Sequence, residues 1–167
     1  MPSLKPVTIN NHEALFKLMQ RIYPPAYKQL WLNEDCSWYI HSQYNFEQLK
    51  KELQDTNAEY YFIMDAKKDI GILRLIHQKE KATTKLHRLY LDQNYQGQGM
   101  GQKLMLIIEA FAKVNNSKSI WLEAMDTQIQ ALQFYKKQGF TIVQTYQLPF
   151  KLIHQKLRGI HKMTKQL

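Results

Sequence analysis

The stretch Gln96-Gly97-Gln98-Gly99-Met100-Gly101 constrains this chain more than any other. It follows the apolar run through Leu86, Leu89, Tyr90 and Leu91 and opens onto Leu104-Met105-Leu106-Ile107-Ile108, which reads as a helix. Glycines alternating with larger residues let the backbone turn tightly with little bulk on one side. Amide N–H groups then converge on the start of the helix, where the helix dipole favours an anion such as a pyrophosphate. A strand, a glycine turn, a helix and a further strand predict two parallel neighbours joined by a right-handed crossover. Ligands gather at the carboxyl ends of such strands.

The flanking pattern extends this reading. Val7-Thr8-Ile9 is a candidate first strand, and Asn10 precedes Glu13 at capping-box spacing before Leu15, Leu18, Met19 and Ile22 recur at helical intervals. Pro24-Pro25 is expected to stop that helix. A second helix is expected from Asn45, with Phe46, Leu49 and Leu53 on one face. Residues 59–64 and 70–76 read as a hairpin, residues 86–91 as the strand entering the glycine turn, and residues 120–124 as the strand after the crossover. A helix over residues 128–138 capped by Gly139, a strand over 140–143 and a last strand near 160–164 complete the order β-α-α-β-β-β-α-β-α-β-β. The expectation is one α/β domain over residues 1–167, a mixed sheet with a central parallel pair around a crossover helix.

Composition narrows the classes of function. The chain has 167 residues, 44% apolar and 22% charged, which suits a folded domain. One cysteine, Cys36, rules out an intrachain disulfide framework and a multi-cysteine metal site, and fits a reducing cytoplasm. No apolar stretch reaches the roughly 20 residues that span a bilayer, and the first residues lack a hydrophobic signal region. The net charge of +9 is uneven: residues 151–167 carry +5 with no acidic residue. Such an excess attracts nucleic acid, phosphorylated cofactors or an anionic surface, or is simply a solvated edge.

The glycine turn is not a Walker A loop, because no Gly-Lys-Ser/Thr follows it. Its Gly-x-Gly-x-Gly spacing also differs from the dinucleotide fingerprint, although Glu123 lies roughly 20 residues on, where such a fold keeps its acidic residue. Residues 89–101 instead resemble motif A of the GNAT N-acetyltransferase family, Arg/Gln-x-x-Gly-x-Gly/Ala after the fourth strand. Residues 131–140, Ala-Leu-Gln-Phe-Tyr-Lys-Lys-Gln-Gly-Phe, are similar to the family's second signature, Ala-x-x-Phe-Tyr-x-x-x-Gly-Phe.

The resemblance implies the acyl-CoA N-acyltransferase fold and acetyl-CoA as cosubstrate, with no metal. The cofactor would lie along Leu89, Tyr90 and Leu91, over the amides of Gln96, Gly97, Gln98, Gly99, Met100, Gly101 and Gln102, and against Gln128, Ala131 and Tyr135. Gln96 replaces the arginine that the family often carries, and Gln128 its usual asparagine. Tyr135 matches the tyrosine beside the cofactor sulfur, a candidate general acid. For the base, Glu123 resembles that of ribosomal-protein N-terminal acetyltransferases, and His87 stands where arylalkylamine members carry a histidine. A water relay is the third option.

Between the first strand and the second helix the chain is rich in aromatics. Tyr27 and Trp31, with Glu34 and Asp35, are candidates for holding a cationic amine through ring faces and carboxylates. The start of this region and Trp31-Leu32 resemble, more loosely, Pai-type polyamine acetyltransferases. The resulting expectation is a cytoplasmic enzyme, monomer or homodimer, that acetylates a small polyamine or arylalkylamine by direct attack. Protein N-terminal or lysine acetylation and a non-catalytic CoA sensor are the alternatives. Neither nucleic acid nor membrane is the expected partner, since no recognition helix or zinc pattern accompanies the basic end.

Overall fold

The computed structural model describes residues 2–167. In chain order the elements are β1 (Ser3–Pro6), α1 (His12–Tyr27), α2 (Ser37–Tyr44), α3 (Phe46–Leu53), β2 (Ala58–Asp65), β3 (Lys68–Gln78), β4 (Thr83–Leu91), α4 (Met100–Val114), β5 (Ser119–Met125), α5 (Ile129–Lys137), β6 (Thr141–Gln147) and β7 (Gly159–Gln166). They form one mixed seven-stranded sheet in the order β1-β2-β3-β4-β5-β7-β6. Only β4 and β5 run parallel, joined by α4 as the glycine turn predicts. Two cores form. One packs α1–α3 on one face of the sheet around Leu15, Met19, Tyr44, Leu49 and Phe62. The other packs α4 and α5 on the opposite face around Leu104, Met105, Ile108, Leu122 and Leu132.

The parallel pair is short. It is in register from Thr83↔Ser119 to Leu86↔Leu122 and then parts. Each strand keeps its outer neighbour: β4 stays paired to β3 as far as Leu91↔Gly71, and β5 to β7 as far as Met125↔Ile160. The inner edges of residues 87–91 and 123–125 are therefore left facing a gap. At its start β4 is bulged. Arg74 faces Arg88 and Leu75 faces Leu86, so His87 is an extra residue. A bulge bends its strand and shifts the alternation of side chains by one. Leu86 accordingly joins the α4 face, whereas Arg88, two residues on, is held over the ring of Tyr44, in the α1–α3 core.

Several local details depart from the sequence expectation. β1 lies at Ser3–Pro6, and Val7 adds one further backbone bond, to Tyr60. The cap before α1 is made by Thr8 and Asn11, whose Oδ1 accepts from Thr8 N at 3.0 Å, and not by Asn10 and Glu13. Pro24 and Pro25 sit inside α1, which continues to Tyr27. They remove only two donors in the last turns, and the Tyr23–Tyr27 stack at 4.8 Å holds that turn. α2 has no counterpart in the sequence reading; it packs through Ile40 and Tyr44, one turn apart. α3 starts after Asn45, whose Oδ1 accepts from Gln48 N at 2.8 Å. Its buried face holds Leu49 and Glu52, and Phe46 and Leu53 are exposed. Glu52 is drawn inward because Arg74 and Arg88 lie beneath it.

The basic C-terminal segment ends in sheet: residues 159–166 form β7, and Lys151, Lys156 and Arg158 lie in the connection before it. β7 runs between β5 and β6, with Lys162 over the Trp121 ring at 4.4 Å and Lys165 bonded to Glu109 at 2.6 Å.

Gly71 lets β3 approach the end of β4. A Cβ there would strike the carbonyl oxygen of Tyr90 and lie 3.2 Å from Leu91 Cα. Gly71→Ala should therefore destabilise the chain by about 1–3 kcal/mol, read as a drop in Tm of several degrees. An unchanged Tm would mean that β4 can shift freely there.

Candidate functional site

A cavity of about 300 Å³ occupies the gap where β4 and β5 part. Its lining draws on both layers: Tyr23, Tyr27 and Tyr39 from the α1–α3 side, and Ala131 and Tyr135 of α5 with Gln128 at its N-cap. Between them lie Lys85 to Tyr90 of β4 and Leu122 to Met125 of β5. The cavity is thus a passage through the sheet.

Beyond Leu91 the chain makes the glycine turn. Gly97 and Gly99 have φ of +76° and +73°, conformations that an L side chain rarely adopts, and nothing lies within 4 Å of where a Cβ would stand. Gly99 is the N-cap of α4, and neither a side chain nor an acidic residue in the first turn satisfies that helix end. Its leading amides are thus free for an anion. Gln96 instead turns back, its Nε2 donating to Leu91 O at 3.1 Å. Gln98 does the same to Asn94 O. Gly101 brings α4 against α5, since a Cβ there would meet the Phe134 ring at 3.0 Å. Asp92 anchors the turn to α1 through Arg21. Burial would raise the Asp92 carboxyl, but the Asn94 amide and Arg21 outweigh it and hold it below its ordinary value.

Tyr135 is half-buried on α5 between Phe134 and Phe140, and burial, with Tyr27 nearby, raises its phenol above the ordinary value. Gln128 precedes α5, its side chain reaching Ala26 O at 3.3 Å. Glu123 projects from β5 and accepts from Lys85 Nζ at 3.1 Å. His87 sits on the bulge, and its Nδ1 is 3.0 Å from Arg74 Nη1. A guanidinium can only donate, so Nδ1 accepts and the ring proton is on Nε2. Burial, then the charges of Arg88, Arg74 and Lys85, push the His87 pKa down to about 2.

Behind His87 is a buried charge cluster. Arg88 bonds both oxygens of Glu52, at 2.6 and 2.8 Å, and lies over the Tyr44 and Tyr60 rings. Arg74 reaches Glu52 only at 3.5 Å, and its buried Nε has no hydrogen-bond partner.

The candidates for holding the amine fall in two groups. Tyr27 and Trp31 line the cavity, with Tyr23 and Tyr39 stacked between them. Burial and Tyr39 push the Tyr27 phenol up to about 12. Glu34 and Asp35 are exposed and do not line it; Glu34 pairs with Lys28 at 3.6 Å, and Asp35 accepts from Ser37 N at 2.9 Å. Leu148, Phe150 and Ile153 complete the wall, residues that the sequence reading did not single out. They belong to the connection from β6 to β7, which crosses to residues 30–32: Trp31 bridges Ile153, and Leu32 N donates to Leu152 O at 2.8 Å. Among the described residues no cluster of three metal-ligating side chains occurs, and no helix is long and apolar enough to cross a membrane.

With this geometry in view, a sequence model of the acetyltransferase (GNAT) family matches residues 13–140. The chain belongs to that family. A stretch of 56 residues is 34% identical to the spermine/spermidine N(1)-acetyltransferase of Bacillus subtilis (strain 168) and, equally, to a probable spermine N(1)-acetyltransferase of Bacillus subtilis subsp. natto (strain BEST195). The match covers 33% of this chain and 37% of each relative, so the chain spans little more than a third of the length of these curated proteins. The fold is shared over the whole chain. PaiA N-acetyltransferase from Thermoplasma acidophilum, solved with coenzyme A, superposes with a TM-score of 0.79 at 18% identity, covering 100% of this chain and 99% of that one. Spermidine N-acetyltransferase from Vibrio cholerae, solved with CoA and spermine, gives 0.74 at 16%, covering 99% and 95%.

The His87 environment has a measurable consequence. Its imidazole resonances should stay fixed between about pH 8 and about pH 4, where a free histidine titrates near 6.5. The unfolded chain takes up this proton near 6.5 and the folded chain does not, so the group's contribution to stability is full above that pH and falls below it. An NMR midpoint between about 5 and 7 would mean that Arg74 does not hold Nδ1.

Proposed function

We propose that this chain is an acetyl-CoA-dependent N-acetyltransferase acting on a small primary amine by direct attack. The observation that carries the reading is the passage through the sheet, walled by α5 at one mouth and by aromatic rings at the other. Acetyl-CoA supplies an activated acetyl thioester. The uncapped start of α4 suits its pyrophosphate, and the open inner edges of β4 and β5 offer N–H and C=O groups to the amides of its arm. Ala131 leaves room beside them.

The acceptor would enter from the aromatic side, where the β6–β7 connection closes over Trp31. A closed wall of this kind favours a small molecule over a protein chain. In the reaction the amine nitrogen bonds to the acetyl carbon, the carbon–sulfur bond breaks, and one proton passes from nitrogen to the departing sulfur. Tyr135, kept protonated by burial, is the donor at the sulfur. Glu123 is the carboxylate of the cavity wall and the candidate to take the amine proton, directly or through water. His87 is a poor base because Arg74 occupies Nδ1 and Nε2 already carries a proton.

Polyamines have weaker support than singly charged amines. Of the two carboxylates expected to draw a polycation, Glu34 and Asp35, neither lines the cavity, and Glu123 already has Lys85 as partner.

Tyr135→Phe should lower kcat by about 100-fold, the usual size of a lost acid, while CoA affinity stays the same. Thiol release from acetyl-CoA with an amine panel measures the first and calorimetry the second. An unchanged kcat would remove Tyr135 from this role, and CoA binding without thiol release for any amine would favour a sensor. Glu123→Gln should lower kcat if the carboxylate takes the proton; an unchanged kcat would leave water as the base.

A further inference from the structure

Resting on the transferase reading, the charge distribution around the gap says more about the acceptor. Lys85, Arg88 and Glu123 are the charged side chains of the cavity wall, with Arg74 and Glu52 directly behind. Three cations thus share two carboxylates. Glu123 is matched by Lys85, and Glu52 gives both oxygens to Arg88. Arg74 is left as the surplus: it is buried, Nε is unpartnered, and Glu52 is 3.5 Å away. Asp55 also attracts it, but from an exposed position.

A buried cation without a full counter-charge is costly unless something supplies one. Arg74 spends one donor on His87 Nδ1, and the imidazole therefore presents Nε2–H, which bonds to no described residue, while the ring itself lines the cavity. An N–H polarised by a guanidinium behind it is a strong donor to an anion. Lys85 lies on the same strand two residues earlier and adds positive potential at the same ring.

We infer that His87, backed by Arg74 and flanked by Lys85, is the carboxylate-recognising element of the acceptor site, and that the acceptor is an amino-acid-type molecule. Glu123 would face its ammonium group and His87 its carboxylate, both at the point where β4 and β5 part. The reacting nitrogen and the carboxylate are then neighbours in the substrate, and Tyr27, Tyr39, Trp31 and Phe150 take an apolar or aromatic body. A diamine would set a second ammonium against this surplus.

The test compares phenylalanine, phenethylamine and 1,5-diaminopentane, the first two differing only in the carboxylate. With the full chain saturated in CoA, calorimetry should find phenylalanine bound at least about tenfold more tightly than phenethylamine, the worth of one hydrogen bond to a charged group. The diamine should be weakest. Equal or tighter binding of phenethylamine or the diamine overturns the inference. His87→Phe should erase the preference and His87→Gln, which keeps an N–H donor, should restore part of it, with melting curves verifying the fold of each variant. A preference unchanged in His87→Phe also overturns it. Thiol release keeps the two readings apart: phenylalanine preferred in binding but inert toward acetyl-CoA defeats the transferase reading alone, whereas turnover favouring phenethylamine defeats this inference alone.

Discussion

Everything at the centre of this molecule depends on two parallel strands that pair over four positions and then separate. β4 and β5 agree in register only from Thr83↔Ser119 to Leu86↔Leu122. Beyond that point each is held from outside, β4 by β3 and β5 by β7, so the sheet stays intact while its middle opens. Backbone donors and acceptors along such an opening need partners. Within the strands they have none across the gap, and an extended ligand rich in amides is the natural complement. The bulge at His87 is what bends β4 away. By shifting the alternation it also turns Leu86 to one core and Arg88 and Tyr90 to the other. One strand therefore addresses both mouths of the passage.

The charges near the gap obey the same economy. Removing Arg88 from water is tolerable because Glu52 meets it with two oxygens and two aromatic rings cover it. α3 serves this pairing by burying a glutamate on its inner face while Phe46 and Leu53 stay in solvent. On the far side of the turn, Arg21 ties α1 to Asp92, which in turn caps the turn leading into the glycines. The helix that walls the aromatic mouth and the loop that precedes α4 are thereby joined by one ion pair.

Local chemistry carried much of this into the sequence. The glycine turn, the crossover to a parallel neighbour, the Asn45 cap and the helix ending at Gly139 follow from short-range rules, and the structure has each of them. Features decided at long range were not legible. α1 runs through Pro24-Pro25 because Tyr23 and Tyr27 stack, and the inward Glu52 depends on arginines 22 and 36 positions away in sequence. α2 reads poorly as a helix, yet its aromatics pack against α1. The β6–β7 connection gave no signal at all, since its place beside Trp31 is set by a bridge across more than a hundred residues. Glu34 and Asp35 were attractive for their charge alone, and only the fold directs them to solvent.

The histidine illustrates how identity and environment divide the work. From sequence, a histidine on the strand before the glycine turn has a pKa suited to accept a proton. In the fold the same ring is pinned by a guanidinium on one nitrogen and surrounded by three cations, and its ordinary basicity is gone. What survives is a directed N–H on a ring that lines the cavity. The residue type set the possibilities as base or donor, and the surplus charge of Arg74 selected the donor. On the proposal made above, selectivity would arise from the imbalance of a buried cluster as much as from the aromatic wall, because an unmatched charge beside a cavity acts on whatever enters it.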